Sequence, residues 1–102
     1  MNTTTLERLQ QHLTTFYAIP YIFVRDSVTT ASGTCLFVQA NRFHYCRPRD
    51  DTGPYTHVEV IHSETPPEWE PHRNWNCSYA YVPIEMVAAE IDRLGGFAEE
   101  QI

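Results

Sequence analysis

Lysine is missing from this chain: all seven of its basic residues are arginine. That excludes lysine chemistry outright, with no Schiff base, no catalytic amine and no phosphate-loop lysine. Any run of about 18 apolar residues is missing too, so no segment reads as a membrane-spanning helix. No charged-then-apolar leader opens the chain; Asn2-Thr3-Thr4-Thr5 runs into a polar helix instead. Cysteine is scarce and odd in number, with Cys35, Cys46 and Cys77 alone. The expectation is a cytoplasmic protein with reduced thiols. Asn76-Cys77-Ser78 matches a glycosylation acceptor, but without secretion the match is empty. The catalytic signatures are absent as well: no Gly-rich phosphate loop, no Gly-x-Ser-x-Gly, no metalloprotease helix motif, no zinc-finger spacing.

What is present fits one domain over residues 1–102, with 42% hydrophobic and 13% aromatic residues to build a core. A domain of this size buries roughly two-thirds of its unfolded surface. The formal net charge is −6. That balance disfavours generic nucleic-acid or anionic-membrane binding, which need clustered positive charge. It suits an acidic surface that meets a basic partner.

The pattern predicts an α+β fold: N-terminal helix, antiparallel sheet of four or five strands in a meander, C-terminal helix, both helices on one face of the sheet. Thr4 and Glu7 form a capping box. Leu6, Leu9, Leu13 and Phe16 then recur on one helical face, Tyr17 lies at its edge, and Pro20 ends the element. Strands are expected at Tyr21–Val28, Thr34–Ala40, Arg42–Arg47, Tyr55–His62 and Ser78–Val82. Ala31-Ser32-Gly33 and Asn41-Arg42 mark turns, and the short connections imply antiparallel pairing. Pro83 suits the first turn of the last helix. Its stripe is Ile84, Val87, Ala88, Ile91 and Leu94, while Glu85, Glu90, Asp92 and Arg93 are expected in solvent. Gly95 closes this helix, Phe97 folds back on it, and residues 98–102 form a frayed tail.

Residues 63–77 are the most informative stretch. They hold Pro66, Pro67 and Pro71, three glutamates (Glu64, Glu68, Glu70), and both tryptophans, Trp69 and Trp75. Proline excludes a central strand or a helix interior. Long loops in small domains are functional or disordered, and disordered segments are poor in aromatics. The expectation is an ordered acidic-aromatic recognition loop, because Trp, Tyr and Arg dominate interface hot spots. Tyr79 and Tyr81, on one face of the next strand, would extend the patch.

Strand alternation also places His44, Cys46, His57 and Glu59 together on the polar face of paired strands. Two imidazoles, a thiol and a carboxylate can bind zinc or form a Cys-His nucleophile pair with a carboxylate orienter. Against this stands an ordinary polar sheet face with cross-strand contacts. Arg42 to Arg49 interleaves aromatics with Arg42, Arg47 and Arg49, as base-stacking RNA modules do. Phe43 and Tyr45 read more simply as the inner face of a strand.

The first functional expectation is therefore a non-catalytic interaction protein that needs no metal or other cofactor. Its partner is a protein with a basic surface, not a membrane and not nucleic acid directly, and a homodimer stays open. The contacting residues are Glu68, Trp69, Glu70, Arg73, Trp75, Glu85, Glu90 and Asp92. In composition the chain is similar to small acidic inhibitors that block basic nucleic-acid channels, such as phage anti-defence and anti-CRISPR proteins. That likeness is one of class, with no motif behind it. The alternative is a small metal- or Cys/His-dependent enzyme using His44, Cys46, His57 and Glu59.

Overall fold

The fold begins with a helix whose start is written in four residues. In the computed structural model, which describes residues 4–14, 27–50 and 53–98, α1 runs Thr5–Thr14. The Thr4 hydroxyl accepts the Glu7 amide at 3.1 Å, and the Glu7 carboxylate accepts the Thr4 amide at 3.2 Å. This reciprocal capping box satisfies two amide donors that the helix geometry orphans. Leu9 and Leu13 are buried. Phe16, Tyr17, Pro20 and the Tyr21–Asp26 part of the expected first strand lie outside the described residues.

The sheet has five antiparallel strands: β1 Val28–Thr29, β2 Cys35–Gln39, β3 His57–Ile61, β4 Arg73–Trp75 and β5 Ser78–Pro83. Their spatial order is β1-β2-β3-β5-β4. Chain order holds for the first three strands; β5 then pairs with β3, and β4 sits outside it as an edge. Alternation buries Leu36 and Val38 of β2 and Val58 and Val60 of β3, while in β5 a bulge breaks the alternation and buries both Tyr79 and Val82. These side chains share one core cluster with Leu9 and Leu13 of α1 and with Ile84, Val87 and Ile91 of α2, which spans Ile84–Arg93.

The strand expected at Arg42–Arg47 does not form. Asn41 begins a turn instead: its side-chain carbonyl accepts the Phe43 amide at 2.8 Å, and its backbone carbonyl accepts the Cys46 thiol at 3.2 Å. Local side-chain bonds of this kind compete with ladder pairing, and here they win. The segment lies across one end of the sheet. Arg47 bridges His57, and the Tyr45 carbonyl accepts the Tyr81 amide at 3.2 Å.

The expected loop at 63–77 is also more ordered than its prolines imply. Pro67–His72 forms a six-residue 3-10 helix, η1, and Arg73–Trp75 forms the edge strand β4. Pro67 occupies the first turn of η1, where no amide donor is needed. Pro71 lies inside η1, a position that the expectation from proline had excluded. A two-residue turn with Asn76 at φ 49° returns the chain to β5.

The C-terminus of α2 closes with a Schellman motif. The Gly96 amide donates to the Ile91 carbonyl at 2.8 Å and the Gly95 amide to the Asp92 carbonyl at 3.0 Å. Gly95 sits at φ +94°, where a side chain is strained. The β1–β2 turn docks on this cap, since the Ala31 amide donates to the Gly96 carbonyl at 2.8 Å. Phe97 bridges Thr30, and the Ala98 amide donates to the Thr29 carbonyl at 2.9 Å, so order extends to Ala98.

Candidate binding faces of the sheet and the helix layer

Cross-strand partners share a face. Phe37 of β2 faces Ile61 of β3, Ile61 faces Ser78 of β5, and Ser78 faces Trp75 of β4. The register thus lines up Phe37, Ile61 and Trp75 in one row across four strands, on the face away from Val38, Val60 and Tyr79. All three apolar members of the row are exposed, Trp75 to 73%. The alternation that groups His57 and Glu59 on the outer face continues to Ile61. Phe37, opposite Leu36 and Val38, carried the same legible signal, but nothing in the sequence indicated that the two would be neighbours.

A β-bulge shapes the other end of this face. Between the pairs Val58–Val82 and Val60–Tyr79, one residue of β3 opposes two of β5, Ala80 and Tyr81. Tyr81 takes φ 52°, an uncommon conformation for a bulky side chain. Its ring lies 5.8 Å from that of Tyr45. The guanidinium of Arg47 sits 5.0 Å from the Tyr81 ring centre, that of Arg49 5.6 Å from Tyr45, and that of Arg42 5.0 Å from Phe43. Phe43 is 62% exposed and Tyr45 43%, so neither forms the inner face of a strand as alternation predicted.

The four residues of the enzyme alternative separate. His44 and Glu59 do meet: His44 Nδ1 donates to Glu59 Oε1 at 2.6 Å. That hydrogen bond, helped by the Tyr45 amide, outweighs burial, which pushes the carboxyl up, and holds Glu59 below its ordinary range. Cys46 instead is fully buried, its thiol directed at the Asn41 and Pro48 carbonyls. Burial pushes that thiol up, away from the reactive thiolate. His57 Nδ1 is taken by the Thr56 hydroxyl at 2.9 Å. Among the described residues no three His, Cys, Asp or Glu side chains converge as a metal cage.

The expected partner-contact residues divide by burial. Trp69 is 1% exposed, with its ring edge-on to His62 at 5.6 Å and to Tyr79 at 5.7 Å. It is a core residue of η1, because the 3-10 turn aims it back at the sheet. Tyr79 is buried beside it, its hydroxyl 2.6 Å from that of Thr65. Glu90 is buried as well, contrary to its expected place in solvent. It lies one helical turn from Val87, at the edge of the apolar stripe. His62 Nε2 donates to its carboxylate at 2.8 Å, and Arg93 donates two hydrogen bonds at 2.7 Å. Burial pushes the Glu90 carboxyl up, but the bonds from Arg93 and His62 outweigh that and leave it below its ordinary range.

Glu68, Glu70, Arg73, Trp75, Glu85 and Asp92 remain exposed. Glu70 pairs with Arg73 at 3.0 Å, and Asp92 accepts the Thr5 hydroxyl, tying α2 to α1. Glu68, Trp69, Met86, Ala89, Glu90 and Arg93 line a shallow pocket of about 160 Å³ between η1 and α2. Among the described residues no helix is long and apolar enough to cross a membrane. Comparison with known proteins found no matching family model, no similar curated protein and no similar solved structure.

Proposed function

We propose that the chain is a non-catalytic interaction protein that works by occupying a partner's surface. The observation that carries this reading is the exposed row Phe37–Ile61–Trp75, lined up by strand register on the outer face of the sheet. Ser78 sits between Ile61 and Trp75 in this row, so three large apolar side chains share one exposed face, and a cluster of exposed apolar groups is a mark of contact sites. Trp75 is its anchor, since tryptophan is the residue most enriched among interface hot spots.

The partner we propose is a protein with a basic surface. Exposed Glu68, Glu70, Glu85 and Asp92, on η1 and α2 across the sheet from that row, support that reading, because complementary charge steers encounter beyond the contact itself. Inhibition of a nucleic-acid-binding complex, in the manner of phage anti-defence proteins, is the specific form we propose.

The test is capture from the native host by tagged protein, with Trp75→Ala as control. The expected result is a partner lost from the Trp75→Ala sample by at least about thirtyfold in affinity, the scale of a 2 kcal/mol hot spot. The variant should melt with the parent chain. Equal capture by both proteins would remove Trp75, and the row it anchors, from the interface.

A further inference from the structure

The turn at residues 42–49 presents aromatic rings and guanidiniums to solvent that the proposed protein interface does not use. We infer that this turn, with Tyr81 of β5, binds single-stranded nucleic acid by base stacking and phosphate contact. Phe43 and Tyr45 offer exposed rings, and the bulge brings Tyr81 to 5.8 Å from Tyr45. Every base has a π-face, so stacking on such rings is sequence-tolerant. Guanidiniums then supply the phosphate contacts. Among the described residues neither Arg47 nor Arg49 joins an ion pair; each lies over a ring, 5.0 Å from Tyr81 and 5.6 Å from Tyr45. Held there, their N–H edges remain available for phosphate oxygens.

The chain's overall charge of −6 argues against long-range attraction of a polyanion. Hydrogen bonding leaves the nearby carboxylates charged, and Asp50, Asp51 and Glu59 match Arg42, Arg47 and Arg49 in number, so attraction here rests on short-range stacking and phosphate contact. Glu59 accepts His44 at 2.6 Å and the Tyr45 amide at 3.4 Å, and Asp50 accepts the Gly53 amide at 2.9 Å. The other described acids belong to α1, η1, α2 and the approach to η1, and screening shortens to about 8 Å at physiological ionic strength. A duplex keeps its bases stacked inside, so an unpaired strand is the form these rings fit.

Fluorescence anisotropy with a labelled 12-nucleotide single strand, as RNA and as DNA, tests this on the whole chain. Saturable binding at 50 mM salt is expected, weakening roughly 7- to 20-fold by 200 mM if two or three phosphates are neutralised. Arg47→Ala and Arg49→Ala should each lower the salt slope by about 0.7. Tyr45→Ala should weaken binding by at least about fivefold with unchanged melting. Phe43→Ala gives the same reading should Tyr45→Ala disturb the fold. Trp75→Ala should bind the strand like the parent, which separates this site from the protein interface. Absence of saturable binding at 50 mM salt overturns the inference. So does a salt slope indifferent to both arginines, or tighter binding of a 12-residue polyglutamate peptide than of the oligonucleotides.

Discussion

Trp69 and Trp75 lie six positions apart in one proline-rich segment, and burial assigns them opposite work. Trp69 packs on His62 and Tyr79 in the core, so Trp69→Ala should cost about 3–5 kcal/mol. Trp75 touches solvent over most of its surface, and Trp75→Ala should stay within about 0.5 kcal/mol of the parent. Chemical denaturation of the two variants checks both figures. Glu90 gives a second residue-scale test. Its carboxyl titrates below its ordinary 4.5 in the folded chain, so the unfolded state binds protons first as pH falls. Its contribution is complete above about pH 4.5 and is lost as pH drops through the folded value. Glu59, lowered by His44, acts in the same direction. Glu90→Gln should cost about 1–3 kcal/mol at pH 7, because the amide keeps one acceptor oxygen but loses the charge and sets its NH2 against a donor of His62 or Arg93. Its pH–stability curve should be flatter than the parent's below pH 5, as denaturant melts across that range would record.

At the scale of elements, the end of α2 concentrates what is most sensitive to change. Gly95 closes the Schellman motif at positive φ, and a Cβ there would stand 3.0 Å from that of Ala31 in the β1–β2 turn. Gly95→Ala should therefore destabilise by about 1–2 kcal/mol, from the left-handed backbone and the displaced turn together. Gly96→Ala has open space but the same sign of φ, at +88°, so it isolates the backbone part. Thermal melts of the two variants should place Gly95→Ala lower. The segment at 41–48 shows the opposite logic. Its side chains satisfy its own backbone, so it leaves the ladder and exposes Phe43 and Tyr45.

Across the whole molecule, charge is laid out unevenly. Arg42, Arg47 and Arg49 gather on the turn over the sheet, whereas Glu68, Glu70, Glu85 and Asp92 belong to η1 and α2. Reversing Glu68 and Glu85 to arginine should slow association with a basic partner several-fold at low salt while shifting melting little. Stopped-flow rates across an ionic-strength series would test this; a rate indifferent to salt and to both reversals would make the contact apolar.

Periodicity located α1, α2, β2, β3 and β5, but it missed η1 and β4 and placed a strand at Arg42–Arg47 that does not form. The capping box at Thr4 and Glu7, the stripe Ile84–Val87–Ala88–Ile91, the Gly95 closure and the alternation in β2 and β3 all express local spacing, so each was legible from the chain. Position in the sheet was not local. Whether residues 42–47 paired as a strand depended on Asn41 and Cys46 outcompeting a ladder, and Arg42–Arg47 carried a strand pattern regardless. Burial of Glu90 followed from His62, twenty-eight positions away, arriving beside it. The same holds for the candidate faces. Composition announced tryptophan, tyrosine and arginine, but only the pairing of β2, β3, β5 and β4 set Phe37, Ile61 and Trp75 in one row, because cross-strand neighbours are chosen by register rather than by sequence distance.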